Sequence, residues 1–390
     1  MKCGGMGTVF SLKKTDSGAN IGILSYEYPP NFFGGVGIHV GELTRSLAIG
    51  NDRVHVFTPN VQESNEQLVR NVWVHGSAEL HYQASNDFSA VYKKILTNIN
   101  VAAMVKKQFL NDSLDLLHSH GGLIQLAATL SKQSTQLPLV MTAHSIDVNR
   151  TRPDGLSVMM EKNVVGMVDR FIAVSKSIQE ELEQTFEIET DMITIIPNGV
   201  DTEIFKLQNA DDLKRKYKLD DRFVVLFVGR NDPQKGVRYL VDAVRRLQRH
   251  IPEIMLVMVG QPDVYHDKHI LCLPHVGKHE LIKLYSLSDV FVLPSIYEPF
   301  GIVLMEAMAC ETACIGSRVG GIPDIIDNNR TGLLVESESS ASIAEAIDRL
   351  YNDPEKRCMM GKRGRERVIS LFDWQDIAKK TGEVYQQVLN

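Results

Sequence analysis

Arg230 and Lys235 stand five residues apart in the run Gly229-Arg230-Asn231-Asp232-Pro233-Gln234-Lys235-Gly236. Two cations that bracket a turn ahead of a helix can converge, together with the helix dipole, on one diphosphate. Two solvated surface charges fit the same residues. A second run reads Pro294-Ser295-Ile296-Tyr297-Glu298-Pro299-Phe300-Gly301-Ile302-Val303-Leu304-Met305-Glu306. Pro299 suits the first position of a helix, which puts Glu298 at the helix mouth and Glu306 about two turns in. Unpaired amides at a helix start can cradle polar oxygens, and a carboxylate accepts two hydrogen bonds side by side, matching the vicinal hydroxyls of a sugar or ribose. As plain structure, Glu298 would only cap the helix and Glu306 would be exposed. The apolar run at 302–305 argues instead for a helix buried beneath its own loop.

Three further loops carry candidate groups. Gly34, Gly35, Gly37 and Gly41 follow the first apolar run, and glycines ahead of a helix let amides approach an anion; a structural turn is the other reading. A nicotinamide dinucleotide site needs Gly-x-Gly-x-x-Gly and an acid closing the second strand. Here the spacing is Gly35-x-Gly37-x-x-x-Gly41 and the second run ends Phe57-Thr58-Pro59, which speaks against an oxidoreductase. His144 and Ser145 end the run Val140-Met141-Thr142-Ala143, where a histidine serves either as a site group or as a structural one. His118-Ser119-His120 shares one strand face and could bind a metal, but no Asp-x-Asp or further His stands beside it, and Cys310 and Cys314 flank a helix end without a His. Both pairs are read as structural, and neither metal nor cofactor is expected.

Short β-rich runs alternating with amphipathic stretches must position these loops. The runs at 21–25, 54–58, 114–118, 139–142, 171–174 and 193–196 form one series. Those at 224–228, 255–259, 270–273, 290–293 and 313–316 form a second, which includes a helix over 237–249. This alternation predicts an α/β fold of two successive doubly wound units with parallel strands. Between them Pro197-Asn198-Gly199-Val200-Asp201 stops a strand and turns the chain. The expected organisation is a tail over 1–20, one Rossmann-like domain over 21–200, a second over 201–371, and a closing amphipathic helix over 372–390. Ligands of such sheets lie beyond the carboxyl ends of the strands, so the two units would face each other across a cleft.

Composition narrows the class. The share of hydrophobic residues is 44% and of charged residues 23%, which suits ordinary globular cores. The net charge is −6 and the excess of acids lies in the first half, a poor match for nucleic acid or an anionic membrane. Five cysteines, an odd number without a framework, fit reduced thiols. No run approaches the roughly 20 apolar residues of a membrane span, and no secretory layout opens the chain, so a cytoplasmic protein is expected.

Together these loops resemble the retaining glycosyltransferases of the GT-B fold, in the family 4 or group 1 class that includes glycogen synthase-like enzymes, sucrose synthases and phosphatidylinositol mannosyltransferases. The resemblance runs from about residue 21 to the end. It rests on Glu298-x7-Glu306 within Pro-Ser-x-x-Glu-Pro-Phe-Gly, on the Gly-Arg…Lys-Gly loop, on Pro-Asn-Gly-Val-Asp, and on Gly320-Gly321-Ile322-Pro323-Asp324. The first loop, Asn31-Phe32-Phe33-Gly34-Gly35, departs from the Lys-x-Gly-Gly of starch-type synthases.

By position, the resemblance implies that Arg230 and Lys235 bind and neutralise the donor diphosphate and that Glu306 holds the ribose. It gives Glu298, with the backbone of Phe300, Gly301 and Ile302, to the transferred sugar, and the Val303 amide and Gly35 to the phosphates. His144 would contact the sugar near its reacting carbon. UDP- or ADP-glucose is the implied donor, with GDP-mannose behind it, and a carbohydrate hydroxyl the acceptor, without a metal. The acceptor belongs to the first domain, where Ser145, Arg150 and Arg152 lie in a polar loop. The arginines could receive a phosphate or simply offset Asp147 and Asp154, and a neutral oligosaccharide is the expected acceptor. An epimerase or hydrolase of the same fold, or a non-catalytic nucleotide-sugar sensor, are the rival readings.

Overall fold

A computed structural model describes residues 18–30, 34–59, 67–76, 87–149, 155–261 and 267–390. Most of the N-terminal tail, Asn31 to Phe33, Arg150 and Arg152 lie outside the described residues. The first sheet contains β1 (Asn20–Ser25), β2 (Arg53–Thr58), β3 (Gln67–Val69), β4 (Val72–Gly76), β5 (Leu116–His120), β6 (Leu139–Ala143), β7 (Arg170–Ala173) and β8 (Ile193–Ile195). Its order is β3-β4-β2-β1-β5-β6-β7-β8, and every pairing is parallel except β3 with β4.

The second sheet contains β9 (Phe223–Val228), β10 (Ile254–Val259), β11 (Ile270–Leu273), β12 (Val290–Leu293), β13 (Ala313–Ser317) and β14 (Gly332–Val335), ordered β11-β10-β9-β12-β13-β14 and wholly parallel. Two doubly wound α/β units are therefore present. In each, the chain runs to one side of the first strand and then returns to the other. The resulting switch points lie between β1 and β5, and between β9 and β12. The pairing of β9 with β12 covers only Val225 with Val290 and Leu226 with Phe291, so the two strands part toward their carboxyl ends. That gap is where an open α/β sheet leaves room for a ligand.

Strand interiors explain why the runs were readable. Phe223 to Phe227 of β9 and the whole of β10 and β12 are buried on both faces, so these strands are continuously apolar. Three details differ from the sequence reading. The run at 114–118 is shifted, because Leu116, not Leu114, pairs with Ile21, and the strand extends to His120. β3, β4 and β14 have no counterpart in the predicted runs. The helix begun at Val237 ends at Leu247.

Two passages connect the sheets. The first leaves β8 through Pro197-Asn198-Gly199-Val200. The second leaves the helix Pro354–Leu371 at Phe372 and enters the helix Trp374–Leu389, which packs on the helix Gly35–Ile49 of the first unit. The passages touch. The Val200 amide donates to the Phe372 carbonyl at 3.0 Å, and a Cβ on Gly199 would lie 2.6 Å from the Trp374 ring.

Candidate functional site

The loops after β9 and β12 are held against each other at the switch point of the second sheet. After Arg230, which is exposed, Asp232 accepts the Gln234 amide at 2.9 Å and starts a single 3-10 turn, Pro233–Lys235. Gly236 follows at φ 63, and a Cβ there would lie 2.0 Å from the Pro294 carbonyl oxygen. Only glycine permits that approach, and the Ile296 amide then donates to the Gln234 carbonyl at 2.7 Å. The result is a half-buried Lys235 whose Nζ lies 2.7 Å from Oε2 of the buried Glu298. Ser295 Oγ donates to the same oxygen at 3.0 Å. From behind, the Gly321 amide donates to the Glu298 carbonyl at 3.0 Å.

The helix carrying Glu306 is Ile302–Ala309, three residues later than Pro299 suggested. Gly301, at φ 107, holds a conformation no helix contains, so the helix begins after it and Pro299 stays in the loop. The amides of Ile302 and Val303 then have no acceptor within the helix. Phe300 points inward and meets Phe372 edge to face, with centroids 6.0 Å apart, so the site can use only its backbone. Glu306 is buried, and Tyr285 donates its hydroxyl to Oε2 at 2.8 Å. Burial raises the Glu306 carboxyl to about 7, against the smaller opposing effect of the Tyr285 bond. Burial, and then the charge of Glu306, raises the Tyr285 phenol in turn.

The first unit supplies the opposite wall. A Cβ on Gly35, the first residue of its helix, would lie 3.0 Å from Ile302 Cδ1. The glycine loop after β1 and the helix start after β12 are thus in register across the cleft. Ser175 Oγ donates to the Pro299 carbonyl at 2.8 Å, and the Lys176 amide donates to Asp324 at 2.9 Å. Tyr297 reaches Glu181 at 3.2 Å. These bonds close the two units on the Glu298 loop.

His144 follows β6 and is partly exposed, with Ser145 beside it. Its Nε2 lies 3.2 Å from Nδ1 of His120, and its ring is 4.6 Å, centroid to centroid, from that of His39. The expectation that no further His joins His118 and His120 is corrected. The helix Gly35–Ile49 brings in His39 and β6 brings in His144, neighbours that separation along the chain conceals. Burial holds the His39 imidazole down to about 4 and those of His120 and His144 well below the usual range, so all are neutral at neutral pH. Tyr285, Ser175 and His39 were missed by sequence reasoning. Tyr285 carries no signal beyond helical spacing, whereas His39 stood within the glycine run.

Comparison with known proteins agrees with the two-unit fold. Residues 33–204 match the family described as Glycosyltransferase Family 4, and residues 209–367 match Glycosyl transferases group 1. The alpha-maltose-1-phosphate synthase of Mycolicibacterium smegmatis is 32% identical, across 94% of this chain and 99% of its own. A glycogen synthase of Mycobacterium tuberculosis is 29% identical, across 93% of each. The solved sucrose-phosphate synthase from Thermosynechococcus elongatus superposes with a TM-score of 0.81 at 26% identity, covering 95% of this chain and 99% of that one. No helix among the described residues is long and apolar enough to cross a membrane. With its two facing Rossmann-like units, its matches along both and a relative of this identity over nearly its full length, the chain belongs to the group 1, family 4 glycosyltransferases and is a glycosyltransferase of the GT-B fold.

Proposed function

We propose that the protein transfers a glucosyl residue from UDP- or ADP-glucose to a carbohydrate hydroxyl with retention of configuration and without a metal. The observation that carries this reading is the Lys235–Glu298 pair at the switch point between β9 and β12, with Arg230 on the same loop. The cations and the Val303 amide receive the diphosphate, with Gly35 close against its other side, and the Ile302 amide faces the transferred sugar. Both bonds to Glu298 land on Oε2, which leaves Oε1 for a sugar hydroxyl. Glu306 takes the ribose diol, and neutral His144 faces the sugar. Solved proteins of the same fold support the donor class: a 19% identical one holds UDP-glucose and another ADP with acarbose.

In the step itself the C1–O bond to the diphosphate breaks as the acceptor oxygen bonds C1 on the same face. The acceptor proton passes to the departing phosphate oxygen. Fixed cations aimed at the leaving group stabilise the charge that develops there. The partners of Glu298, Lys235 and Ser295, and the ribose role given to Glu306 support a transferase over a two-carboxylate hydrolase.

A sugar-phosphate acceptor is the second reading, suggested by two relatives whose names carry a phosphorylated sugar. Arg150 is the cation it would use. The test offers UDP-glucose, ADP-glucose and GDP-mannose with neutral and phosphorylated acceptors, in chelator, and reads product anomers by NMR. Acceptor-dependent nucleotide release with an α-linked product is expected. Release without an acceptor, an inverted product, or loss in chelator restored by a divalent ion would overturn the respective part. Selective loss of the phosphorylated acceptor in Arg150→Ala decides for the second reading, and equal rates decide against it.

The raised Glu306 carboxyl gives a pH prediction. Only the carboxylate can accept both ribose hydrogen bonds, and it forms as pH rises through about 7. Donor KM is therefore expected to rise roughly tenfold per pH unit on the acid side and to level off on the alkaline side. Glu306→Gln should flatten this profile and raise donor KM roughly 10- to 100-fold, with a smaller effect on kcat because ground and transition states share the contact. A wild-type KM that is level across neutrality would refute the ribose role.

A further inference from the structure

His39, His120 and His144 arrive from three separate elements, and one ring nitrogen of each lies within 4.8 Å of the others. The closest pair, His120 Nδ1 and His144 Nε2, is 3.2 Å apart. Two ligands of a tetrahedral Zn2+ bound at about 2.0–2.1 Å stand about 3.3 Å apart, so this pair already has the right span. His39 is pre-oriented: its Nδ1 lies 2.7 Å from Asn198 Oδ1, and an amide oxygen only accepts, so the proton sits on Nδ1 and the lone pair on Nε2. Metal-binding histidines donate an outer hydrogen bond of this kind from the ring nitrogen that does not ligate. His39 Nε2 is buried and has no hydrogen-bond partner among the described residues.

The neighbouring His118 is different. Its Nδ1 meets Tyr385 and its Nε2 meets Thr142, both at 2.7 Å, so it has no nitrogen to give. His39 and His120 are buried, and His144 is half-buried at the end of β6.

We propose that His39, His120 and His144 form a transition-metal site that takes Zn2+ or another imidazole-seeking divalent cation, and that its occupation inhibits transfer by withdrawing His144 from the donor sugar. Three imidazoles without carboxylates favour zinc, copper or nickel over magnesium or calcium. The site lies on the opposite wall from the cations that receive the diphosphate, so an ion here is no substitute for them. The inhibitory half rests on the sugar-contact reading of His144; the metal site does not.

The test uses the full chain, stripped with chelator and desalted. Titration with Co2+ is expected to give the visible absorption of four-coordinate cobalt, saturating at one equivalent and bleached by Zn2+. His39→Gln and His120→Asn, each checked by circular dichroism for an intact fold, should each remove the band and weaken Zn2+ binding by at least about 100-fold. In the transfer assay Zn2+ should inhibit the wild type, chelator should restore it, and His120→Asn should keep its own rate when Zn2+ is added. Absence of the Co2+ band from the wild type overturns the site, as does full Zn2+ affinity in both variants. Should histidine-dependent Zn2+ binding leave transfer unchanged, the inhibitory role falls and the site stands. The cobalt arm needs no activity, so failure to find a transferase reaction would leave it decisive.

Discussion

Lys235→Ala is expected to lower kcat by roughly 10²–10³-fold, the effect of removing one fixed donor from a developing anionic charge. In the proposed reaction that charge develops on the departing diphosphate, and Lys235 is the half-buried cation set beside it by the 3-10 turn. The variant also leaves the Glu298 carboxylate with Ser295 as its one side-chain partner among the described residues, so a lower melting temperature should accompany the loss of rate. Arg230→Ala separates the two effects. Arg230 is exposed, so this variant should lose rate by a similar factor while melting like the parent. Turnover numbers and thermal melts of both variants check this. Rates within tenfold of the parent in both would place the diphosphate elsewhere.

Gly320→Ala is the second large effect. Gly320 sits at φ 53, and an added Cβ would lie 1.9 Å from the Glu298 carbonyl oxygen. That oxygen has little freedom to retreat, because it accepts the Gly321 amide at 3.0 Å. The left-handed backbone alone costs an alanine about 1–3 kcal/mol. The clash adds to this and pushes on the peptide that carries Glu298, so both stability and transfer should fall. At roughly 2–4 °C per kcal/mol for a domain of this size, a melting temperature several degrees lower is expected. Gly277→Ala is the control, since nothing lies within 4 Å of its added Cβ. Equal melting temperatures and equal activity in the two variants would contradict the account of this loop.

Much of the fold was legible because its strands are buried on both faces, which writes them as short unbroken apolar runs such as Val224-Val225-Leu226-Phe227. β4 alternates buried and half-buried residues, so it did not stand out as an unbroken apolar run. The shift of β5 had a similar cause. Leu114 is buried and apolar yet precedes the strand, whereas two polar histidines complete it. At the site, Glu298 and Lys235 were readable as candidates because their loops hold glycines and prolines at turns. That they bond to each other was not, since 63 residues separate them and only the β9–β12 adjacency joins their loops. The helix start was misplaced because Pro299 is a good first residue in general, while the deciding feature here is the positive φ of Gly301.

The two passages between the units are tied side by side by the Val200–Phe372 bond and the contact of Gly199 with Trp374, so a rotation of one unit against the other would pivot about them as a single fulcrum. When the cleft opens about a fulcrum, each group travels an arc proportional to its distance from it. His39 sits almost on it, bonded to Asn198 of one passage and set edge-on to Trp374 of the other at 5.4 Å between centroids. His144 stands one ring away. The histidine wall is therefore the still point of any opening stroke, and groups on longer arms sweep toward it or away from it.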